Sequence, residues 1–249
     1  LAALPDPARI RAILLDIEGT TTPIDFVYGT LFPFARARIE PFILASLSRA
    51  DVHDDLEALR KEHAGEPARA TDLPAWQEDS PQGRLKSAAA YIRWLMDHDR
   101  KSAALKSLQG KIWEAGYRSG ELQGQVYPDV APALARWRGQ NRVIGIFSSG
   151  SVLAQKLLFR HSTAGDLTPF IGAYFDTMTG PKQDPESYRR IAQALRLAPT
   201  EIVFLSDVVT ELDAARRAGL ETLLCLRPGA AESGGATHPA IHTFDEVFP

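Results

Sequence analysis

Asp16 and Glu18 stand two residues apart in LLDIEGT, with Gly19 next to free the backbone. Two acids at that spacing after an apolar run suit a nucleophile beside a group that gives and takes a proton. The same letters also describe a strand running into a capped turn. Ser148-Ser149-Gly150-Ser151 follows VIGIF. Hydroxyls and free N–H groups at a helix start bind a phosphoryl group, or else cap the helix VLAQKLLF. The Gly-x-x-x-x-Gly-Lys-Ser/Thr spacing of a P-loop is absent. Lys182 follows Gly-Pro and precedes a helix cap by two residues, so it reads as a counter-charge for phosphate or as a solvated surface charge. Asp207 and Glu211, in LSDVVTELDAARRAG, are four apart, the first at a strand end and the second on the opening helical turn. Both can face one point. Hard carboxylate oxygens there suit Mg²⁺, although the helix dipole alone also favours acids at that position.

Chemistry from four separate places requires a scaffold that brings them together. Short apolar runs fall at 12–15, 143–147, 202–205 and 222–226, each of strand length and apolar throughout, as in strands buried on both faces of a parallel sheet. Helical patterns alternate with them. Pro132 and Gly139 bracket a helix in DVAPALARWRG. In QDPESYRRIAQALRL, Asp184 suits the N-cap and Pro185 the first helical position, with Tyr188, Ile191 and Leu195 on one face. ELDAARRAG ends at Gly219, a helix stop. The alternation predicts an α/β fold, a doubly wound parallel-sheet core of Rossmann-like type.

One interval breaks the rhythm. Residues 28–120 carry helical patterning and no clear strand, with Tyr91, Trp94, Leu95 and His98 on one stripe and Leu105, Leu108 and Ile112 on another. They are read as an inserted helical cap domain, with 1–27 and 121–249 forming the core. Ligands of a doubly wound sheet sit at the carboxyl ends of its strands, so an insertion leaving from there would act as a lid. Residues 49–69 are crowded with charge and read as solvated helix surface or loop, and 228–239 (PGAAESGGATHP) as a mobile loop. Phe26, Tyr28, Trp94, Trp113 and Tyr117 either line an apolar pocket or pack within the insertion.

Composition narrows the function classes. The chain has 249 residues, 45% hydrophobic and 24% charged, enough to bury a core. A net charge of -3 with scattered basic residues offers no footprint for nucleic acid or an acidic membrane surface. A lone cysteine, Cys225, excludes an internal disulfide and a thiolate-built zinc site, and its run TLLCL reads as core. No apolar stretch approaches the ~20 residues of a membrane span, and no basic segment leads into an apolar one at the start. A cytoplasmic location is expected.

Each cluster alone is ambiguous, but their order is not. An acid pair, a hydroxyl, a lysine and a second acid pair, each at or after a strand of one sheet, resemble the haloacid dehalogenase superfamily of aspartate-nucleophile phosphotransferases. Within it, DIEGTTTPIDFV with TLFPFAR, SSGSVLAQKLLFRHS, FDTMTGPK with ESYRRIA, and FLSDVVTELDAA resemble the enolase-phosphatase family of methionine salvage. Glu18 discriminates, since most of the superfamily carries Asp there. The resemblance implies one Mg²⁺ associated with Asp16, Asp207 and Glu18, the last through its backbone carbonyl, and it implies a monomer. It also implies that Ser148, Ser149 and Lys182 contact a small phosphorylated metabolite, and that Asp16 forms an aspartyl phosphate with Glu18 as acid and base. The implied reaction converts 2,3-diketo-5-methylthiopentyl 1-phosphate, through its enol, to 1,2-dihydroxy-3-keto-5-methylthiopentene and phosphate.

Three alternatives share parts of this pattern. A general small-metabolite phosphatase has every core motif. A dehalogenase uses the first Asp without a metal, which the acids at Asp207 and Glu211 oppose. A receiver-like signalling module accepts phosphate on Asp, but such modules are about half this length and carry that Asp after a later strand.

Overall fold

The structure is a computed structural model that describes residues 4–67, 70–228 and 237–249; most of the loop expected at 228–239, and the last two residues of the charged stretch at 49–69, lie outside the described residues. Along the chain come β1 (Ala12–Leu15), one helical turn α1 (Ile24–Phe26), α2 (Phe32–Ala45), α3 (Ala50–Ala64), α4 (Pro81–Asp97) and α5 (Ala103–Ser119). Then follow α6 (Val130–Gly139), β2 (Val143–Phe147), α7 (Val152–Arg160), β3 (Ala173–Phe175), α8 (Pro185–Leu195), β4 (Ile202–Ser206), α9 (Val209–Arg217), β5 (Glu221–Cys225) and β6 (Ala240–Ile241). The chain divides into two compact units, Leu1–Val27 with Gln123–Pro249, and Tyr28–Leu122.

The first unit holds one parallel sheet of six strands in the order β3-β2-β1-β4-β5-β6. Ala12 pairs with Val143 on one side and Ile202 on the other, which fixes the register of the three central strands. All four residues of β1 and all five of β4 are buried. One face of the sheet contributes Leu14 and Phe204, which pack with Tyr188, Ile191 and Leu212 of the covering helices. The apolar runs therefore mark strands sealed on both faces. The edge strands β3 and β6 escaped that signal. The first has three half-buried residues and the second one exposed and one buried, so each is too short to stand out as a strand.

Local chemistry fixes the helices as the spacing predicts. The Asp184 side chain accepts from the Glu186 N–H, with Pro185 opening α8, and Gly219 adopts φ +95° beyond α9. Cys225 is buried in β5, and burial pushes its thiol up to about 12, which makes it inert.

The unit Tyr28–Leu122 is built from α2 to α5, around Ile39, Ile43, Val52, Leu59, Leu95 and Leu108. Ser80 and Ser102 cap α4 and α5, and the charged stretch forms α3 with Val52 and Leu59 turned inward. His98 caps α4 and is exposed, yet its ring stays against Trp94 of the expected stripe, with centroids 4.6 Å apart. Trp94 and Tyr117 are buried, whereas Tyr28 is 65% exposed and so is not a core residue of its unit. Among the described residues no helix is long and apolar enough to cross a membrane.

Candidate active site

Sheet order reverses at β1, whose neighbours β2 and β4 lead away in opposite directions. A crevice opens at the carboxyl ends of strands at such a point. Asp16 follows β1 directly, and Ser206-Asp207 ends β4 beside it, with the Asp16 N–H donating to Leu205 O (3.0 Å).

The turn after Asp16 is wound on one carbonyl. Thr20, Thr21 and Thr22 all direct their N–H groups to Ile17 O, at 3.2, 3.0 and 2.9 Å. Gly19 sits at φ +74°, and a Cβ there would stand 2.1 Å from Asp207 Oδ2. Glycine is thus required twice, for the left-handed backbone and for the approach of a carboxylate. The Thr20 hydroxyl accepts from the Asp207 N–H (3.1 Å), tying the turn after β1 to the end of β4.

Asp16 is 2% exposed. Its Oδ1 accepts from the Ile17 N–H (2.7 Å) and from Lys182 Nζ (2.6 Å), and its Oδ2 lies 3.3 Å from Ser206 Oγ. Lys182 Nζ also meets Glu211 Oε2 at 2.6 Å, and Ser206 Oγ lies 3.2 Å from that same oxygen. The lysine reaches this point from the loop between β3 and α8. Its carbonyl accepts from the Tyr188 hydroxyl (2.7 Å), and the Ser187 hydroxyl donates to Pro181 O (2.8 Å). Lys182 is therefore a buried counter-charge and not a solvated one.

Across the site, Ser148 Oγ lies 3.3 Å from Glu18 Oε2 and accepts from the Gly150 N–H (3.1 Å). Capping of α7 falls to Ser151, whose hydroxyl accepts from the Ala154 N–H. Ser148 is buried and Ser149 is exposed. Gln155 holds the loop by donating to Gly150 O and Phe175 O, each at 2.9 Å.

Four carboxylates thus surround one ammonium. Burial works against the charge on Lys182, yet Asp16 and Glu211 hold it above its ordinary value. Burial and then the charge of Asp16 raise Glu18, push Asp207 up to about 6 and push Glu211 up to about 7. The excess of negative charge is the physical mark of a site made to receive a cation. Asp207 Oδ1 is buried and has no partner among the described residues, as an oxygen reserved for a cation would be. Among the described residues no three His, Cys, Asp or Glu side chains converge on one metal position, so a cation here would complete its shell with waters, substrate oxygens or a backbone carbonyl.

The structure brings Asp16, Lys182 and Glu211 into direct contact and Asp207 against the Gly19 turn. Glu211, grouped with the metal ligands on sequence, directs Oε2 to Lys182 and Ser206. Ser206 and Thr20 escaped sequence reading. Their one available signal was adjacency to Asp207 and Gly19, and a hydroxyl beside an acid is too common to single out.

The chain matches the family model of haloacid dehalogenase-like hydrolases over residues 10–219. It is 50% identical to the enolase-phosphatase E1 of Synechococcus elongatus, over 98% of this chain and 100% of that protein. To the enolase-phosphatase E1 of Sorangium cellulosum it is 47% identical, over 100% of each. The crystal structure of the UTR4 protein of Saccharomyces cerevisiae superposes with a TM-score of 0.78 at 33% identity, covering 96% of this chain and 100% of that one. An L-2-haloacid dehalogenase structure, at 18% identity and a TM-score of 0.54, shares the fold.

Proposed function

The chain belongs to the haloacid dehalogenase-like hydrolases and, within them, to the enolase-phosphatases, and from that premise we propose that it enolises and then dephosphorylates 2,3-diketo-5-methylthiopentyl 1-phosphate with Asp16 as nucleophile. It is a phosphatase acting on a small phosphorylated substrate. The observation that carries the assignment of roles is Asp16, buried at the switch point, with Lys182 Nζ 2.6 Å from its Oδ1.

The family implies a divalent cation, and the donor set fits one. Asp16, Asp207 with its unpartnered Oδ1, and the Glu18 carbonyl would hold a single Mg²⁺ per chain. Glu211 is proposed instead to hold Lys182, with which its Oε2 is engaged. When bound, the cation draws charge from the phosphoryl oxygens, which lowers the repulsion between two anions that must meet.

The chain's own groups supply the rest. Lys182 and the Ser148 and Ser149 hydroxyls orient the phosphoryl group and offset its charge. Asp16 attacks phosphorus, the bond to the enol oxygen breaks, and an aspartyl phosphate forms. Glu18 gives its proton to the departing oxygen and takes one from the water that hydrolyses the intermediate. Burial and the charge of Asp16 hold the Glu18 carboxyl above its ordinary value, which favours its carrying that proton. Glu18 is also the base proposed for the preceding removal of a proton from the carbon between the phosphoester oxygen and the ketone.

A phosphate-release assay over a panel of phosphorylated metabolites, with Mg²⁺ and with EDTA, tests the reading. The diketo phosphate should be turned over fastest and only with the metal. A sugar phosphate turned over faster would make the chain a general phosphatase.

A further inference from the structure

Beyond the four motifs, Arg227 is a buried charged side chain that the mechanism does not use. Arg227 follows β5, and its side chain is 5% exposed. Its guanidinium lies between two rings, 4.3 Å from the Tyr127 centroid and 4.4 Å from that of Phe244. Nη1 donates to Asp129 Oδ2 at 2.6 Å, while Nη2 is buried and, among the described residues, has no partner. The remaining donor, Nε, is directed at Thr20 O at 2.9 Å. Burying an arginine costs several kcal/mol unless geometry and partners are good, so a site that leaves one nitrogen unpaired is poorly explained as a stabilising device.

Its hydrogen bond to Thr20 points to another role. Thr20 accepts from Arg227 at its carbonyl and from the Asp207 N–H at its hydroxyl. It is also the residue after Gly19, the position where Asp207 Oδ2 lies against the backbone. Thr21 is held from the same side, its carbonyl accepting from the Tyr127 N–H at 3.0 Å. The planar guanidinium fixes the distance between Asp129 and the Thr20 carbonyl, which a flexible ammonium cannot do. Asp129 is itself locked, since Oδ2 also accepts from the Phe244 N–H (2.6 Å) and the Thr243 hydroxyl (3.1 Å).

From this chain of contacts we infer that Arg227, anchored by Asp129, is a positioning residue for the metal site: it holds Thr20, and through Thr20 sets where Asp207 stands relative to the turn after Asp16. It touches neither substrate nor cation. The inference rests on the metal reading above but not on the identity of the substrate. Outer partners that orient metal ligands commonly carry about 10- to 100-fold in affinity.

Isothermal titration of Mg²⁺ into the metal-free enzyme tests it without any turnover. Arg227→Lys keeps the charge and loses the fork, Thr20→Val removes the acceptor for Asp207, and Thr20→Ser keeps that acceptor. Arg227→Lys and Thr20→Val should each weaken Mg²⁺ about tenfold or more, and Thr20→Ser should stay within about twofold of wild type. The double variant Arg227→Lys/Thr20→Val should be little weaker than the worse single, because both cut one path. Wild-type Mg²⁺ affinity in a folded Arg227→Lys or Thr20→Val protein overturns the inference, and so does full additivity. Should Arg227→Lys fail to fold, Thr20→Val decides by the same criterion. A wild-type protein that binds no Mg²⁺ would remove the metal reading itself, an outcome distinct from normal binding that is indifferent to Arg227.

Discussion

Replacing Lys182 with Met removes the one cation from a cluster of four carboxylates while keeping an apolar stem of similar length. The partners are well buried: the side chains of Lys182, Asp16 and Glu211 are 11%, 2% and 10% exposed. Breaking a buried pair by deleting one member costs about 3–5 kcal/mol, because the other charge is left uncompensated. A proton can take the place of the ammonium, however, and Glu211, raised to about 7 and in contact with Lys182, is an acceptor for it. Losing Lys182 raises that value further, while the unfolded chain keeps the ordinary 4.5. The folded variant then binds more protons than the unfolded chain, so its stability falls as pH rises. Above pH 7 each further unit costs about 1.4 kcal/mol until the folded value is passed. Urea unfolding in EDTA, followed by far-ultraviolet circular dichroism, should show a deficit against wild type of about 3 kcal/mol at pH 6 and about 4 at pH 8. Phosphate release with Mg²⁺ should fall by about 10²–10³-fold or more, as when a donor to the developing charge is lost. A deficit below about 1 kcal/mol at pH 8, or turnover within a few-fold of wild type, would refute the account of Lys182 as a buried counter-charge.

Two further substitutions test neighbouring parts of the site. Glu211→Gln should lower phosphate release about 10- to 100-fold yet leave Mg²⁺ affinity within a few-fold, since Oε2 faces Lys182; a loss of metal binding as severe as that of Asp207→Asn would make Glu211 a ligand after all. Gly19→Ala should abolish Mg²⁺ binding by calorimetry and destabilise the protein by about 1–3 kcal/mol, because φ is +74° and the new Cβ would fall 2.1 Å from Asp207 Oδ2; near-normal binding would show that the turn and Asp207 can part without consequence.

Most of the central scaffold could be read from the chain because its signals are local. Ala12–Leu15 and Ile202–Ser206 are sealed on both faces, so their composition alone marks them. Asp184 and Pro185 declare a helix start by capping chemistry. The edge strands stayed hidden, because a strand of only two or three residues leaves no periodic trace. The candidate site was legible as a set of clusters but not as a geometry. Nothing in LSDVVTE says that Glu211 turns to Lys182, 29 residues earlier, rather than to a cation. Ser206 and Thr20 act through hydroxyl contacts between neighbouring strand ends. Arg227 and Asp129, 98 residues apart, meet only once β5 and α6 are in place. Such pairings belong to tertiary structure, and residue types along the chain do not encode them separately.

The central claim is that Asp16 is the nucleophile of the second reaction and has no part in removing the proton in the first. Asp16→Asn is nearly isosteric and retains an oxygen, but its amide cannot attack phosphorus. Incubating this variant with Mg²⁺ and the diketo phosphate, while following the absorbance of the conjugated enol alongside inorganic phosphate, separates the two steps in one experiment. The account predicts that the enol phosphate accumulates with no phosphate released. Release at the wild-type rate would remove Asp16 as nucleophile, and loss of both signals in a folded, metal-binding variant would contradict the division of roles between Asp16 and Glu18.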